Sequence, residues 1–123
     1  MVAFGGLQPV ASTGDAGFAL QNGTPTIITW TAPNDGQLHR VQLFIMEDVT
    51  LALTGGQCTL HVVLPDGSAY VINVCASGAA LGAHANSGGQ PLYLVQPGST
   101  VYVAQSSAVT AGAATVWAEF WAS

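Results

Sequence analysis

The sequence predicts an all-β fold, more specifically a jelly-roll-type β-sandwich of about eight antiparallel strands with a Gly-rich N-terminal arm. Gly, Pro, Asn and Asp recur about every 8 to 12 residues, and the runs between them are rich in Val, Ile, Thr, Tyr and Trp. Signals for helices are nearly absent, and 123 residues is the size of one domain, residues 1–123. An immunoglobulin-like sandwich is the alternative. Its cysteines normally bridge two sheets, whereas the two cysteines here fall on one predicted hairpin.

The individual strands are predicted from alternating or β-branched runs that end at turn-forming residues. Residues 1–24 are Gly-rich and weakly patterned, so we expect an arm or a weakly structured start, with at most a short strand at residues 18–20. Residues 76–90 are small, Gly-rich and without a pattern, which predicts a long loop. The remaining strands are predicted at residues 26–32, 38–47, 57–64, 69–75, 92–95, 100–105 and 113–121.

Charge is scarce in this chain and almost entirely negative. There is no Lys, the single strong base is Arg40, and six acidic residues give a formal net charge of −5 at pH 7. Nucleic acids and anionic membrane surfaces are bound through Lys and Arg, so we expect neither as a partner. Charged residues make up 6% of the chain, where about 25% is usual, so neutral residues must cover the surface. This composition favours assembly with other subunits, and a neutral extracellular domain is the alternative.

The sequence contains no signal that would direct it to a membrane. No apolar run approaches the roughly 18 residues that a membrane-spanning helix requires. Residues 1–6 contain no basic residue, and they do not have the pattern of a secretory signal.

The two cysteines lie on the best predicted hairpin, which turns at residues 65–68. If Asp66 and Gly67 are the two loop residues, Cys58 faces Cys75 directly in a pair without hydrogen bonds, where side chains approach most closely. A disulfide between Cys58 and Cys75 would stabilise the fold by about 3 kcal/mol. Two buried free thiols are the alternative, since a protein assembled in a bacterial cytoplasm keeps its cysteines reduced at first.

No catalytic, cofactor-binding or metal-binding site is predicted, and we expect the protein not to be an enzyme. The three histidines, His39, His61 and His84, are not part of any hydrolase, metalloprotease or nucleotide-binding motif. Glu47 and Asp48 are the only adjacent carboxylates. A calcium site that combines them with Asp15, Asp35 or Asp66 is a minor alternative, because no spacing here resembles a calcium loop. A glycosidase would need two carboxylates across a cleft, and the six acidic residues lie mostly in turns.

The aromatic residues point to an interaction surface. On the last predicted strand Trp117 and Trp121 lie on the face opposite to Phe120, so both faces carry large apolar groups. One face would pack in the sandwich and the other against a neighbouring subunit. The alternatives are that both tryptophans belong to the core, or that they form a platform for a sugar ring. The candidate interface residues are Phe4, Leu7, Trp30, Trp117 and Trp121.

Residues 91–103 form the pattern strand, Pro-Gly turn, strand, and residues 114–121 add a C-terminal strand. This arrangement resembles the end of small jelly-roll domains in tumour-necrosis-factor-like proteins and in bacteriophage virion proteins, above all capsid decoration proteins and head fibres. The resemblance covers about the last third of the chain and the rhythm of its strands.

The resemblance implies a structural virion protein without catalytic residues. Such proteins commonly form homotrimers that bind the major capsid protein on the outer capsid surface and stabilise the shell, after assembly in the host cytoplasm. No cofactor is implied. The alternatives are a carbohydrate- or receptor-binding module at a tail or fibre tip, and a hydrolase on a jelly-roll scaffold.

Overall fold

The computed structural model describes residues 8–75, 84–86 and 93–122. Over these ranges the chain forms strands and no helix, which confirms the predicted all-β fold. The strands are β1 (Gln8–Ser12), β2 (Phe18–Ala19), β3 (Thr26–Thr31), β4 (His39–Gly55), β5 (Cys58–Val63), β6 (Ala69–Cys75), β7 (His84–Asn86), β8 (Tyr93–Val95), β9 (Thr100–Gln105) and β10 (Val109–Ala122).

The strands form two antiparallel sheets that pack as a sandwich. The first sheet has the order β1-β10-β4-β7, with β2 also paired to β10 and β8 also paired to β4. The second sheet has the order β3-β9-β5-β6. From β3 to β7, and again from β8 to β10, each strand lies in the sheet opposite to that of the strand before it. The exception is β6, which forms a hairpin with β5 within the second sheet. We interpret this alternation as the connectivity of a jelly roll, which consists of two Greek keys.

The core lies between the sheets and is built from alternate residues of each long strand. On β10, every second side chain from Ala114 to Ala122 is buried, and the intervening ones are not. The predicted division of this strand into two faces is therefore correct, and Phe120 is fully buried. On β4, Val41, Leu43 and Ile45 point into the same core, as their spacing predicts.

The weakly patterned parts of the chain contain more structure than the sequence indicates. β2 lies where a short strand at residues 18–20 was expected, and it pairs with β10. β1 was not predicted; it also pairs with β10, so residues 8–12 belong to the chain's own sheet rather than to a free arm. Residues 1–7 lie outside the described ranges. β7 lies inside the predicted loop 76–90 and pairs with β4. The other residues of that loop are not described.

The hairpin between β5 and β6 has a different turn from the predicted one. The amide of Gly67 donates to the carbonyl of Leu64 at 2.9 Å, and the amide of Leu64 donates to the carbonyl of Ser68 at 2.7 Å. The loop therefore has three residues, with Gly67 at φ +90° closing it in the left-handed conformation that glycine favours. The predicted two-residue loop is wrong, and each strand residue near the turn is shifted by one position.

Candidate interaction surface

The outer side of the first sheet carries a group of large apolar side chains. β4 and β10 are long antiparallel neighbours, and the residues between their core positions point away from the sandwich. Phe44 and Met46 are 39% and 43% exposed, and two tryptophans of β10 are half-buried beside them. We call this surface the outer aromatic face. Its members are Phe44, Met46, Trp117, Glu119 and Trp121.

The pairing of β4 with β10 fixes the arrangement of this face. Phe44 lies directly opposite Glu119, and Met46 lies opposite Trp117. The rings of Phe44 and Trp121 meet edge to face, with centroids 5.9 Å apart and planes at 78°. The face is therefore ridged rather than flat at this pair, because the two rings stand nearly perpendicular to each other.

The turn between β1 and β2 holds Trp117 in place. Its indole Nε1–H donates a hydrogen bond of 2.9 Å to the backbone carbonyl of Asp15. Gly17, at φ +73°, approaches so closely that a Cβ there would lie 2.9 Å from the indole ring. Both the positive φ and the lack of space require glycine at this position. The side chain of Trp117 is thus fixed before any partner binds.

A groove of about 190 Å³ runs along the outer aromatic face and is lined by Phe44, Ile45, Met46, Trp117 and Glu119. Glu119 is half-buried and lies between the two tryptophans along its strand. Within the described ranges it makes no hydrogen bond and no ion pair. The groove therefore combines apolar walls with one negative charge that has no protein partner there, an arrangement suited to a cation with apolar flanks.

The structure brings together two of the five predicted interface residues. Trp117 and Trp121 share the outer aromatic face. Trp30 does not join them, because it packs against the main core and its ring meets His39 edge-on at 6.0 Å. Phe4 and Leu7 lie outside the described residues. Sequence reasoning missed Phe44 and Met46, although the alternation along β4 places them on the same side as Arg40 and away from the core.

Cys58 and Cys75 face each other as predicted, although the predicted register is wrong. β6 contains one extra residue, Val74, opposite the start of β5. This β-bulge shifts the register by one residue and brings Cys58 opposite Cys75. Both are buried free thiols in the structure, so the disulfide stays a prediction. The thiol of Cys58 donates weakly to the carbonyl of Gly56 at 3.7 Å. The hydrogen bond with Cys58 and the burial of Cys75 raise the pKa of the Cys75 thiol far above its usual value.

The carboxylates do not assemble into a site. Glu47 points into the sandwich with 2% exposure, and burial raises the pKa of its carboxyl group. Its neighbour Asp48 points to the other side of β4, so strand alternation separates the pair that a calcium site would use. The described residues contain no group of three His, Cys, Asp or Glu that could hold a metal ion.

Two of the three histidines, His39 and His61, make local contacts. Nε2 of His39 lies 3.0 Å from Oδ1 of Asp35. A backbone hydrogen bond from Gln37, followed by the contact with His39, lowers the pKa of the Asp35 carboxyl group. On the second sheet the ring of His61 stacks on Tyr102, with centroids 4.5 Å apart and planes at 4°. His84, predicted in a loop, lies in β7.

Comparison with known proteins places the fold but not a family. No protein-family model and no curated protein sequence matches the chain. The fold is similar to that of a chain in the structure of the Gx strain of infectious bursal disease virus. The TM-score is 0.53 at 12% sequence identity, over 94% of this chain and 32% of that chain. A chain in the structure of the Gt strain matches with a TM-score of 0.47 at 15% identity, over the same shares.

The chain thus spans about one third of the length of these viral chains. At 12% identity the likeness to the Gx strain chain concerns the fold alone. None of the described residues forms a helix long and apolar enough to cross a membrane.

Proposed function

We propose that the protein is a structural component of a virus particle, and more specifically a bacteriophage capsid decoration protein. In this proposal it binds the major capsid protein on the outer surface of the shell as a homotrimer, after assembly in the host cytoplasm. The β-sandwich shared with a chain of the infectious bursal disease virus structure supports a viral structural role. The almost uncharged composition supports assembly with other subunits.

The outer aromatic face is the observation that carries this proposal. Trp, Phe and Met are the residue types that concentrate in the buried centres of protein interfaces. Here they lie on the side of the sheet that the core does not use. Because Trp117 is already fixed by Asp15 and Gly17, little side-chain entropy is lost when a partner covers it.

The outer aromatic face has five members, whereas a stable interface involves about 20 to 30 residues on each partner. A homotrimer would present three such faces to a symmetric shell. Linked sites bind more tightly than single ones because the later contacts become intramolecular. A protein that binds only the assembled shell then stabilises the shell by mass action.

Binding of a carbohydrate or a receptor is the second candidate function. The two tryptophans beside an acidic residue favour it, since sugars are held by aromatic rings and polar groups. The nearly perpendicular rings of Phe44 and Trp121 argue against it, because a sugar ring stacks on a flat platform. Tryptophan fluorescence during titration with a broad panel of glycans would distinguish the two functions, and a saturable shift would favour the carbohydrate.

Light scattering on the purified protein tests the oligomer. We expect a particle of three times the 12.5 kDa of one chain. A monomer that also fails to sediment with capsids would contradict the proposal.

A further inference from the structure

We infer that the groove of the outer aromatic face is a socket for an arginine side chain of a different protein. The inference rests on the proposed function, in which that protein is the major capsid protein. The guanidinium group would pair with the carboxylate of Glu119, and the walls formed by Phe44 and Trp117 would contact its planar surface and its aliphatic stem.

The first step of the argument is the charge of Glu119. Any partner that covers the groove removes water from this carboxylate, which has no hydrogen bond or ion pair within the described ranges. Burying an unpaired carboxylate is strongly unfavourable, so a purely apolar partner would be rejected. A partner that brings a positive charge turns the same carboxylate into an attractive contact.

The second step is the aromatic surroundings. Phe44 lies directly opposite Glu119, and Trp117 lies two residues away on the same face of β10. A cation over the face of Trp or Phe is attracted by the ring, and Trp provides the strongest such contact. Arginine fits better than lysine because its planar group stacks on aromatic rings while two of its N–H groups bind one carboxylate.

The third step excludes a second copy of this chain as the donor. The chain has no Lys, and its only Arg, Arg40, already makes an interaction within its own chain. The cation must therefore come from a different protein.

The test uses N-acetyl-arginine amide as the probe and N-acetyl-citrulline amide, which has nearly the same shape without the charge, as the control. Binding is followed by the NMR signals of the Trp117 and Trp121 indole N–H groups. We expect saturable shifts with the arginine probe and about tenfold weaker binding with citrulline. Glu119→Gln should weaken arginine binding by about tenfold. Asp66→Asn removes one negative charge from the exposed hairpin turn, and it should leave binding unchanged.

Equal affinity for the arginine and citrulline probes would overturn the inference. So would an equal loss of arginine binding in Glu119→Gln and Asp66→Asn. Sedimentation of wild type and Glu119→Gln with capsids separates it from the proposed function. If the wild type does not sediment but the probe binds as expected, the decoration role fails and the socket stands. If both proteins sediment equally, the socket fails and the decoration role stands.

Discussion

Phe44 of β4 and Trp121 of β10 meet edge to face on the outer side of the first sheet, with ring centroids 5.9 Å apart. Such a pair contributes about 0.5 to 1.5 kcal/mol beyond the area that it buries. Phe120, one residue before Trp121, points the other way and is fully buried. One short stretch of β10 therefore serves both the core and the surface.

This division predicts unequal effects of two phenylalanine truncations. Phe120→Ala should lower the free energy of unfolding by about 3 to 5 kcal/mol, because it leaves a cavity between the sheets. Phe44→Ala should lower it by only about 1 kcal/mol, because the ring is already 39% exposed. Urea denaturation of both variants measures the difference. Equal losses would show that the outer aromatic face is part of the structural core.

Two glycines with similar positive φ angles should respond differently to substitution. Gly112 has φ +87° and Gly36 has φ +76°, so alanine is strained at both by about 1 to 2 kcal/mol. A Cβ at Gly112 would also overlap the backbone of Ala52 and Leu51, whereas one at Gly36 meets open space. We expect Gly112→Ala to lower the melting temperature much more than Gly36→Ala. Similar melting temperatures would contradict the close approach of β10 to β4 at this point.

Glu47 should make stability depend on pH. Burial raises the pKa of its carboxyl group above 4.5, so the folded protein keeps this proton at pH values where the unfolded chain has lost it. The resulting stabilisation is complete below about pH 4.5 and is lost as pH rises through the folded pKa. In urea denaturation across this window, Glu47→Gln should gain stability over the wild type as pH rises. A difference that does not change with pH would contradict this.

Asp66→Asn is the matched control for that pH series. Hydrogen bonds from the Ser68 hydroxyl and amide lower the pKa of the Asp66 carboxyl group. Its contribution is present above about pH 3.8, the usual pKa of Asp, and is lost as pH falls through the lowered value. The difference in the free energy of unfolding between variant and wild type should therefore change in a different pH window for each variant. As pH rises, it should change in opposite directions for the two variants.

The buried cysteines should resist modification in the folded protein. Cys58 and Cys75 are 0% and 2% exposed, so iodoacetamide should label both in urea and neither in buffer. Because the two residues are directly opposite, refolding with oxidised glutathione should give one intramolecular disulfide that stabilises the fold by about 3 kcal/mol. Rapid labelling of the folded protein, or disulfide-linked dimers on refolding, would contradict the pairing.

Alternation in the sequence was sufficient to predict the class of fold and most strands. β3, β5 and β9 lie within one residue of their predicted bounds, because each is a short alternating run between clear turn residues. β4 and β10 extend eight and four residues further than predicted, at their C-terminal and N-terminal ends respectively. There the pairing between β10 and β4 passes through three register shifts, which interrupt the period of two on which the prediction depends.

Only two of the four apolar residues of the outer aromatic face, Trp117 and Trp121, could be predicted from the sequence. The period of two indicates that Trp117 and Trp121 share a face. It does not indicate which strand lies beside them, because pairing between β4 and β10 joins residues far apart in the sequence. Phe44 and Met46 were therefore missed. Trp30 lies in the second sheet, where it packs against the main core with its ring beside His39. It is therefore not part of the outer aromatic face, and its role in an interface stays a prediction.

The central claim, that the outer aromatic face binds a viral shell, is tested most directly by sedimentation with capsids assembled without this protein. The wild type should sediment with the shells, and the double variant Phe44→Ser and Trp121→Ser should stay in the supernatant. Val71→Ser changes an exposed apolar residue on the second sheet, and it should sediment like the wild type. Equal sedimentation of the double variant and the wild type, or no sedimentation of the wild type, would contradict the claim.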